Sequence, residues 1–412
     1  MKNDFVLAVA GQSLIKRDTR QASAPAFEEV KRLIKTADLA FTNFESTVIG
    51  SHGGWPLKGS FFGSSKPEML DALTDIGFRA LSLSNNHAFD LGPSGVLSTL
   101  DEATRRGFLH AGIGRNVTDA AKPGIGEIDG RSVAFVAMDG GPGPDFMYAA
   151  DAGDSRPERP GVNRIKISQI LDVDTEAFQQ LSIIRDRIGY TAVDLANDTQ
   201  PNDTPTVDPQ TEIGIAGAIF RRSDRFGKTV RIDERDFARN LEAISAAANA
   251  GRLVVAYLHH HHWASDWLQV PDWVGAFARK CIDAGASMFV SHGAPVLQPI
   301  EIYSERPIFY SLGNFIFHTR SEVATWRRRE VWESVVGLCA FSSDNRLTGM
   351  KLYPVLIGGE EALEDPVVER RLVPHLAVGA SADRILQRLA AQSEKLGSRI
   401  EITDGVGILR TS

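Results

Sequence analysis

Histidine is the side chain whose charge changes most readily near neutral pH, and its neutral ring is a common metal ligand. Ten histidines occur in the 412 residues, and four are consecutive: His259, His260, His261 and His262. The run follows directly on the wholly apolar stretch Leu253–Leu258. Successive residues of an extended chain face opposite ways, so at most alternate members share a face, His259 with His261 or His260 with His262. Four other apolar runs also end in compact polar groups. Gly11-Gln12-Ser13 follows Phe5–Ala10, Asn43-Phe44-Glu45 follows Leu39–Thr42, Ser84-Asn85-Asn86-His87 follows Ala80–Leu83, and His292-Gly293 follows Ser287–Ser291. In open α/β sheets ligands bind beyond the carboxyl ends of the strands. Taken singly, Asn-Asn-His reads as a turn and Glu45 as a surface or capping carboxylate. Taken together, five strand ends would gather Glu45, the carboxamides of Gln12, Asn43 and Asn86, and several imidazoles on one rim. That donor set suits a divalent ion, Mn, Zn or Fe, one or two per chain. Such an ion lowers the pKa of water and polarises a substrate oxygen. His87, outside the ligand set, could then protonate the leaving group.

The elements that must carry these residues alternate as in α/β proteins. Phe5–Ala10, Leu39–Thr42, Ala80–Leu83, Leu109–Ala111 and Val133–Met138 read as strands. Ala26–Lys35, Pro67–Ile76 and Ser94–Arg106 read as helices. The region 140–235 departs from this rhythm. It opens on Gly140-Gly141-Pro142-Gly143-Pro144, a loop signature, contains a helical pattern at Ile167–Ile188, and includes a polar stretch from Ala196 to Pro205. It is expected to be an insertion or cap. Helices at Phe237–Ala250 and Pro271–Ala284 then flank the Leu253–Leu258 and Ser287–Ser291 strands. Pro299–Tyr303, Ile308–Tyr310, Val335–Ala340 and Lys351–Ile357 read as a more antiparallel portion, and Ala382–Lys395 as a closing helix within a C-terminal helical extension, 360–412.

Composition narrows the functional classes. Lys and Arg total 45 against 52 Asp and Glu, a net charge of −7, so no overall basic face is offered to nucleic acid. Two cysteines, Cys281 and Cys339, are too few for a disulfide framework. No apolar run approaches the roughly 18 residues of a membrane span, and Phe5–Ala10 is too short for a signal peptide. The expectation is a cytoplasmic protein without a membrane partner. No Gly-x-Ser-x-Gly elbow, Walker loop or dinucleotide fingerprint occurs. Arg327-Arg328-Arg329 reads as a solvated face, and Phe61-Phe62 and Trp263 with Trp267 read as packing aromatics that could line a pocket.

Four segments stand out together: Ala37–Glu45, Leu83–Gly92 (Leu-Ser-Asn-Asn-His-Ala-Phe-Asp-Leu-Gly), Arg159–Asn163 and, most distinctively, Phe309–Phe317 (Phe-Tyr-Ser-Leu-Gly-Asn-Phe-Ile-Phe). They resemble segments of the CapA family, poly-γ-glutamate and capsule synthesis proteins related to calcineurin-like metallophosphatases. The resemblance covers most of Phe5–Phe317. It implies a single metallophosphatase-like α/β sandwich over 1–412, with the 140–235 cap inserted in it. It also implies Glu45, Asn86, His259, His261 and His292 as metal ligands or near neighbours, His87 as the catalytic acid and Asn314 lining the site. Three positions depart from the family pattern: Gln12 stands where an aspartate is usual, His262 where a glutamate is usual, and Pro295 where a second histidine is usual. By analogy with two-metal relatives, the missing aspartate and histidine would serve the same metal position. One ion is then retained, or a second position is rebuilt with Gln12, Asn43, His260 or His262. The resulting expectation is a metal-dependent hydrolase of an amide, lactam or ester bond in a small-molecule or peptide-like substrate, γ-glutamyl-like by the family link. A phosphoesterase and a non-catalytic synthesis factor are the alternatives, and a homo-oligomer is left open.

Overall fold

Residues of alternating parity along the central strands belong to different apolar clusters, and that parity defines the architecture. The computed structural model describes residues 4–22, 24–57, 63–199, 203–319, 328–360, 362 and 372–409. Leu7, Val9, Leu39 and Phe41 share one buried cluster with Val133, Phe135, Val255, Tyr257, Met288 and Val290. Ala8, Ala40 and Leu81 pack instead with Phe27, Val30 and Ile34 and with Leu70, Leu73 and Ile76. Ala134, Val136, Val254, Ala256 and Leu258 pack with Ile244 and Ala247 and with Val274, Phe277 and Cys281. The result is two sheets face to face with helices on both outer faces, because each strand has two apolar sides to bury.

The first sheet runs, edge to edge, Glu401–Thr403, Val406–Leu409, Leu347–Ile357, Glu333–Phe341, Phe5–Val9, Leu39–Asn43, Ala80–Ser82 and Leu109–Ala111, with Pro374–Leu376 branching from Leu347–Ile357. Phe5–Val9 pairs parallel with Leu39–Asn43 and antiparallel with Glu333–Phe341. The second sheet runs Ile300–Tyr303, Arg306–Phe309, Met288–His292, Leu253–His259, Arg131–Asp139 and Gly124–Ile128. Across the seam, Phe41 stacks on Phe135 at 5.0 Å and meets Tyr257 edge-on at 5.5 Å. The outer layers are Pro25–Ile34 and Glu68–Ile76 on one side, and Glu234–Asn249 and Asp272–Asp283 on the other. The apolar strand expected at Leu253–Leu258 is flanked on both sides by parallel partners and is buried throughout.

The 140–235 region carries its own four-stranded sheet, ordered Glu212–Ile215, Ala218–Arg222, Ile167–Val173 and Gly227–Ile232. The helical pattern expected at Ile167–Ile188 is corrected here. Ile167–Val173 is a strand, and the helix spans only Thr175–Arg187 after Asp174 caps it. Ile167, Ile170 and Leu171 happen to fall at helical spacing, and strand pairing on both sides overrides that periodicity. The C-terminal segment, expected to be helical, supplies the helix Gly379–Glu394 and also adds three strands to the first sheet, Pro374–Leu376, Glu401–Thr403 and Val406–Leu409. Phe61, Phe62 and Arg327, singled out above, lie outside the described residues, as do 200–202 of the polar stretch. Cys281 and Cys339 are both buried free thiols. Among the described residues no helix is long and apolar enough to cross a membrane.

Candidate metal centre

The parity that builds the core also aims the polar strand ends. Val255 and Tyr257 face the seam between the sheets, so His259 follows them there, while Leu258 and His260 follow Ala256 to the outer face. Asp139, His259 and His292 stand in register on three adjacent parallel strands, Asp139 opposite His259 and His259 opposite His292. At the far side of the seam, the first sheet ends in Asn43 and, two residues on, Glu45. These ends are tied together by backbone hydrogen bonds: Glu45 N–H donates to the Ser13 carbonyl at 3.1 Å and Phe44 N–H to the Ser82 carbonyl at 3.0 Å.

Glu45, His259 and His261 converge, each offering one ligand atom, and these atoms all lie within 4.8 Å of one another. Among the described residues this is the one group of histidine, cysteine or acidic side chains so arranged. His259 Nε2 lies 3.4 Å from Glu45 Oε1. It makes no hydrogen bond of ordinary geometry, and neither does the buried Glu45 Oε2. Buried polar atoms normally find partners, so an unsatisfied imidazole nitrogen and an unsatisfied carboxylate oxygen in one cluster fit a cation held by both side chains. The other ring nitrogen, His259 Nδ1, lies 3.0 Å from Asp139 Oδ1. Asp139 is fixed in turn by the Tyr148 hydroxyl at 3.1 Å and the Gly141 N–H at 3.2 Å. A carboxylate behind a histidine sets its tautomer and frees Nε2 for a metal. Burial alone would push the His259 imidazole down, but the hydrogen bond to Asp139 and the two neighbouring carboxylates, Asp139 and Glu45, outweigh it and hold the ring at about 9. Replacing Asp139 with asparagine removes the charge and keeps the size. A metal-competition titration should then show affinity lower by roughly 10- to 100-fold, and unchanged affinity would count against this role.

The other expected site residues fall in distinct places. His292 lies beside His259. Its Nδ1 is 3.2 Å from the Tyr257 hydroxyl, and its Nε2 is buried without a hydrogen bond of ordinary geometry. Burial, then the nearby His259 charge, hold the His292 ring down at about 3. His87 is buried with Nδ1 2.6 Å from Asp90 Oδ2, which also accepts the Gly63 N–H at 2.7 Å. Asn86 is half-buried on the same turn. Gln12 is committed to internal bonds: its Nε2 donates to Asn314 Oδ1 at 3.0 Å and its Oε1 accepts the Gly293 N–H at 3.2 Å. Asn314 donates onward to the carbonyls of Pro295 and Val331. His260 and His262 turn to the outer face, where both meet the Trp273 ring edge-on, at 4.9 and 6.2 Å, and His262 Nε2 lies 3.0 Å from the Gly140 carbonyl. His318, which follows the Asn314–Phe317 strand, is a structural clamp. Its Nδ1 accepts the N–H groups of Lys16 and Arg17.

Three residues that matter here escaped the sequence reading. Asp139 ends the Val133–Met138 run in the same strand-end fashion as the other polar groups, so the same rule would have found it. Tyr257 was hidden as one more apolar strand residue. Asn85 joins the two halves of the rim. Its Nδ2 donates to Asn43 Oδ1 and the Phe44 carbonyl, and its Oδ1 accepts the His87 N–H.

A two-sheet α/β sandwich with helices outside and its polar centre at the strand ends is consistent with a metallophosphatase-like fold. The family model described as "Bacterial capsule synthesis protein PGA_cap" matches residues 6–319. The chain is 30% identical to the y4sH protein of Sinorhizobium fredii, over 98% of this chain and 93% of that one. It is 24% identical to the PGA biosynthesis protein CapA of Bacillus subtilis, over 74% of this chain and 60% of the relative. It is 23% identical to the capsule biosynthesis protein CapA of Bacillus anthracis, over 71% and 53%. The chain belongs to the bacterial capsule synthesis family.

Proposed function

We propose that this protein is a metal-dependent hydrolase of amide, lactam or ester bonds with one resident divalent ion. The observation that carries the reading is the convergence of Glu45, His259 and His261, in which the buried Glu45 Oε2 and His259 Nε2 have no hydrogen bond of ordinary geometry. Glu45, His259 and His261 would hold the ion, and His292, one strand over, offers a fourth donor through Nε2. A divalent ion bound there supplies an acidified water and polarises the substrate oxygen. Gln12, with both ends of its amide engaged, is a brace rather than a second-metal ligand, which favours one ion over two.

The remaining work falls to this chain's own groups. Asp139 holds the His259 ring in place through Nδ1. Asp90 does the same for His87, leaving His87 Nε2 as the atom that passes a proton to the leaving group. Asn85 couples the His87 turn to the Glu45 turn, so the acid and the ligand keep a fixed relation. His87→Asn should lower kcat by about 10²- to 10⁴-fold with metal content intact, measured on whichever substrate the wild type hydrolyses. Equal loss of metal would assign His87 to the ligand set instead.

Metal loading should release a proton. Without metal, His259 stays protonated up to about pH 9, and the ion must displace that proton. Affinity therefore rises with pH below 9, about tenfold per unit for one proton. Calorimetry at pH 7 in buffers of different ionisation enthalpy should find about one proton released per ion. No release would mean that His259 is not both protonated without metal and a ligand with it.

Elemental analysis of protein purified without a tag, followed by a panel of amide, lactam, ester and phosphoester substrates with Mn²⁺ or Zn²⁺, tests the proposal as a whole. No metal sinks it, two ions per chain sink the one-ion form, and phosphoester cleavage alone makes it a phosphoesterase. A non-catalytic role in capsule or polyglutamate synthesis is the second reading. Gln12 favours it, being a brace where the family's usual aspartate would be a ligand. Binding of polymer with every substrate untouched would establish that role.

A further inference from the structure

The outer side of the histidine run borders a groove of about 710 Å³ whose opposite wall belongs to the inserted sheet. One wall is the segment from His262 to Trp273. The other is Phe226 with the Gly227–Ile232 strand and Gln169 of the neighbouring Ile167–Val173 strand. Trp263 belongs to both the groove and the metal centre. It lines the groove, and its ring sits 4.9 Å from that of His261.

We propose that this groove binds a neutral sugar ring, the recognition part of a glycan-bearing substrate. Three aromatic side chains line it, Phe226, Trp263 and Trp273. Phe226 is 66% exposed at the lip, so its ring is open to a ligand in the groove. Aromatic faces alone would suit any flat apolar group. The polar part of the lining is more selective. Gln169, Thr229, Ser265 and Gln269 each carry donor and acceptor capacity on one side chain, the complement of a hydroxyl, which is also both. Thr229 Oγ1 already accepts from Arg221 Nη2 at 2.8 Å, and an aryl group would offer no hydrogen bond to the two amides or the Ser265 hydroxyl. A polyanion such as a γ-glutamyl polymer would call for an excess of cations. Among the described residues the fully charged lining groups are Lys228 and Asp272, which cancel. A pyranose ring satisfies both halves, its C–H face on the aromatics and its hydroxyl edge on the amides and hydroxyls. The inserted sheet is therefore a specificity element that supplies half of the binding surface.

The link between groove and chemistry rests on the hydrolase reading above, but binding is measurable without it. Labelled wild-type protein, metal-loaded as purified, is applied to an array of neutral and acidic oligosaccharides beside immobilised poly-γ-glutamate and an N-benzoyl amino acid. The strongest oligosaccharide is then titrated by calorimetry and tryptophan fluorescence against wild type, Phe226→Ala and Gln169→Ala. Both substituted residues lie in the insertion, outside the metal centre. Selective binding of neutral oligosaccharides, weakened about tenfold in either variant with metal content unchanged, is the expected result. Four outcomes overturn it: binding of poly-γ-glutamate or acidic glycans alone, binding of the benzoyl compound alone, no binding at all, or oligosaccharide affinity unchanged in both variants. The two readings fail separately. A protein without metal that still binds neutral glycan keeps the groove and loses the hydrolase. A metal-loaded hydrolase that binds no glycan does the reverse.

Discussion

Glu45→Gln should leave the protein folded and without metal. The substitution keeps the shape of the side chain and removes the only carboxylate among the three converging donors. Glu45 is 3% exposed, so no solvent replaces the lost charge. His259 then keeps a single carboxylate partner, Asp139, on its far nitrogen. Loss of an outer partner already costs roughly 10- to 100-fold in metal affinity, and loss of a direct ligand should cost more. Elemental analysis after dialysis should find wild-type metal and almost none in the variant. Circular dichroism should be unchanged, and hydrolysis should fall to background. Retention of both metal and activity would remove Glu45 from the centre.

Gly293→Ala should be among the most damaging single substitutions in the chain, although it adds one methyl group. Gly293 directly follows His292 and has a φ of +113°, a conformation that L side chains rarely adopt. A Cβ placed there would lie 1.9 Å from the His260 carbonyl oxygen, a backbone atom with no rotamer to change. The same contact holds the two strand ends together, because His260 N–H donates to the His292 carbonyl at 3.1 Å and Gly293 N–H to Gln12. Relief of the clash must therefore separate the His259 and Met288–His292 strand ends and pull His259 away from Glu45. A loss of about 3 kcal/mol or more in unfolding free energy is expected, together with weaker metal binding. Gly251→Ala is the control. Gly251 also has positive φ, at +76°, but its Cβ would meet nothing within 4 Å. It should show the conformational cost alone, about 1 kcal/mol. Equal destabilisation of the two variants would mean that backbone strain, not the contact with His260, limits the site.

Much of this arrangement is legible in the residues. The apolar runs from Phe5, Leu39, Ala80, Val133, Leu253 and Ser287 are strands within a few residues of where the sequence places them, because each is long enough, apolar enough and bounded by turn residues. The helices flanking them are legible for the same reason. The 140–235 region is less so. Its strand Ile167–Val173 carries helical spacing by coincidence, and its sheet is held by pairing between segments about 60 residues apart, Ile167 with Ile232 and Ser168 with Arg231. No local pattern records that pairing.

The sequence by itself determined that alternate histidines of the run must part company, since that follows from the period of an extended chain. It also determined that the polar clusters sit at strand ends, since each interrupts an apolar run. Which pair of histidines faces the seam was decided only by tertiary structure. Val255 and Tyr257 face the opposing sheet while Ala256 and Leu258 face the outer helices, and both sets are apolar. With both faces of the strand buried, hydrophobic patterning cannot tell inside from outside. The packing of Tyr257 against Phe41 and of Leu258 against the helical layer breaks that tie. It sends His259 and His261 to Glu45 and leaves His260 and His262 against Trp273.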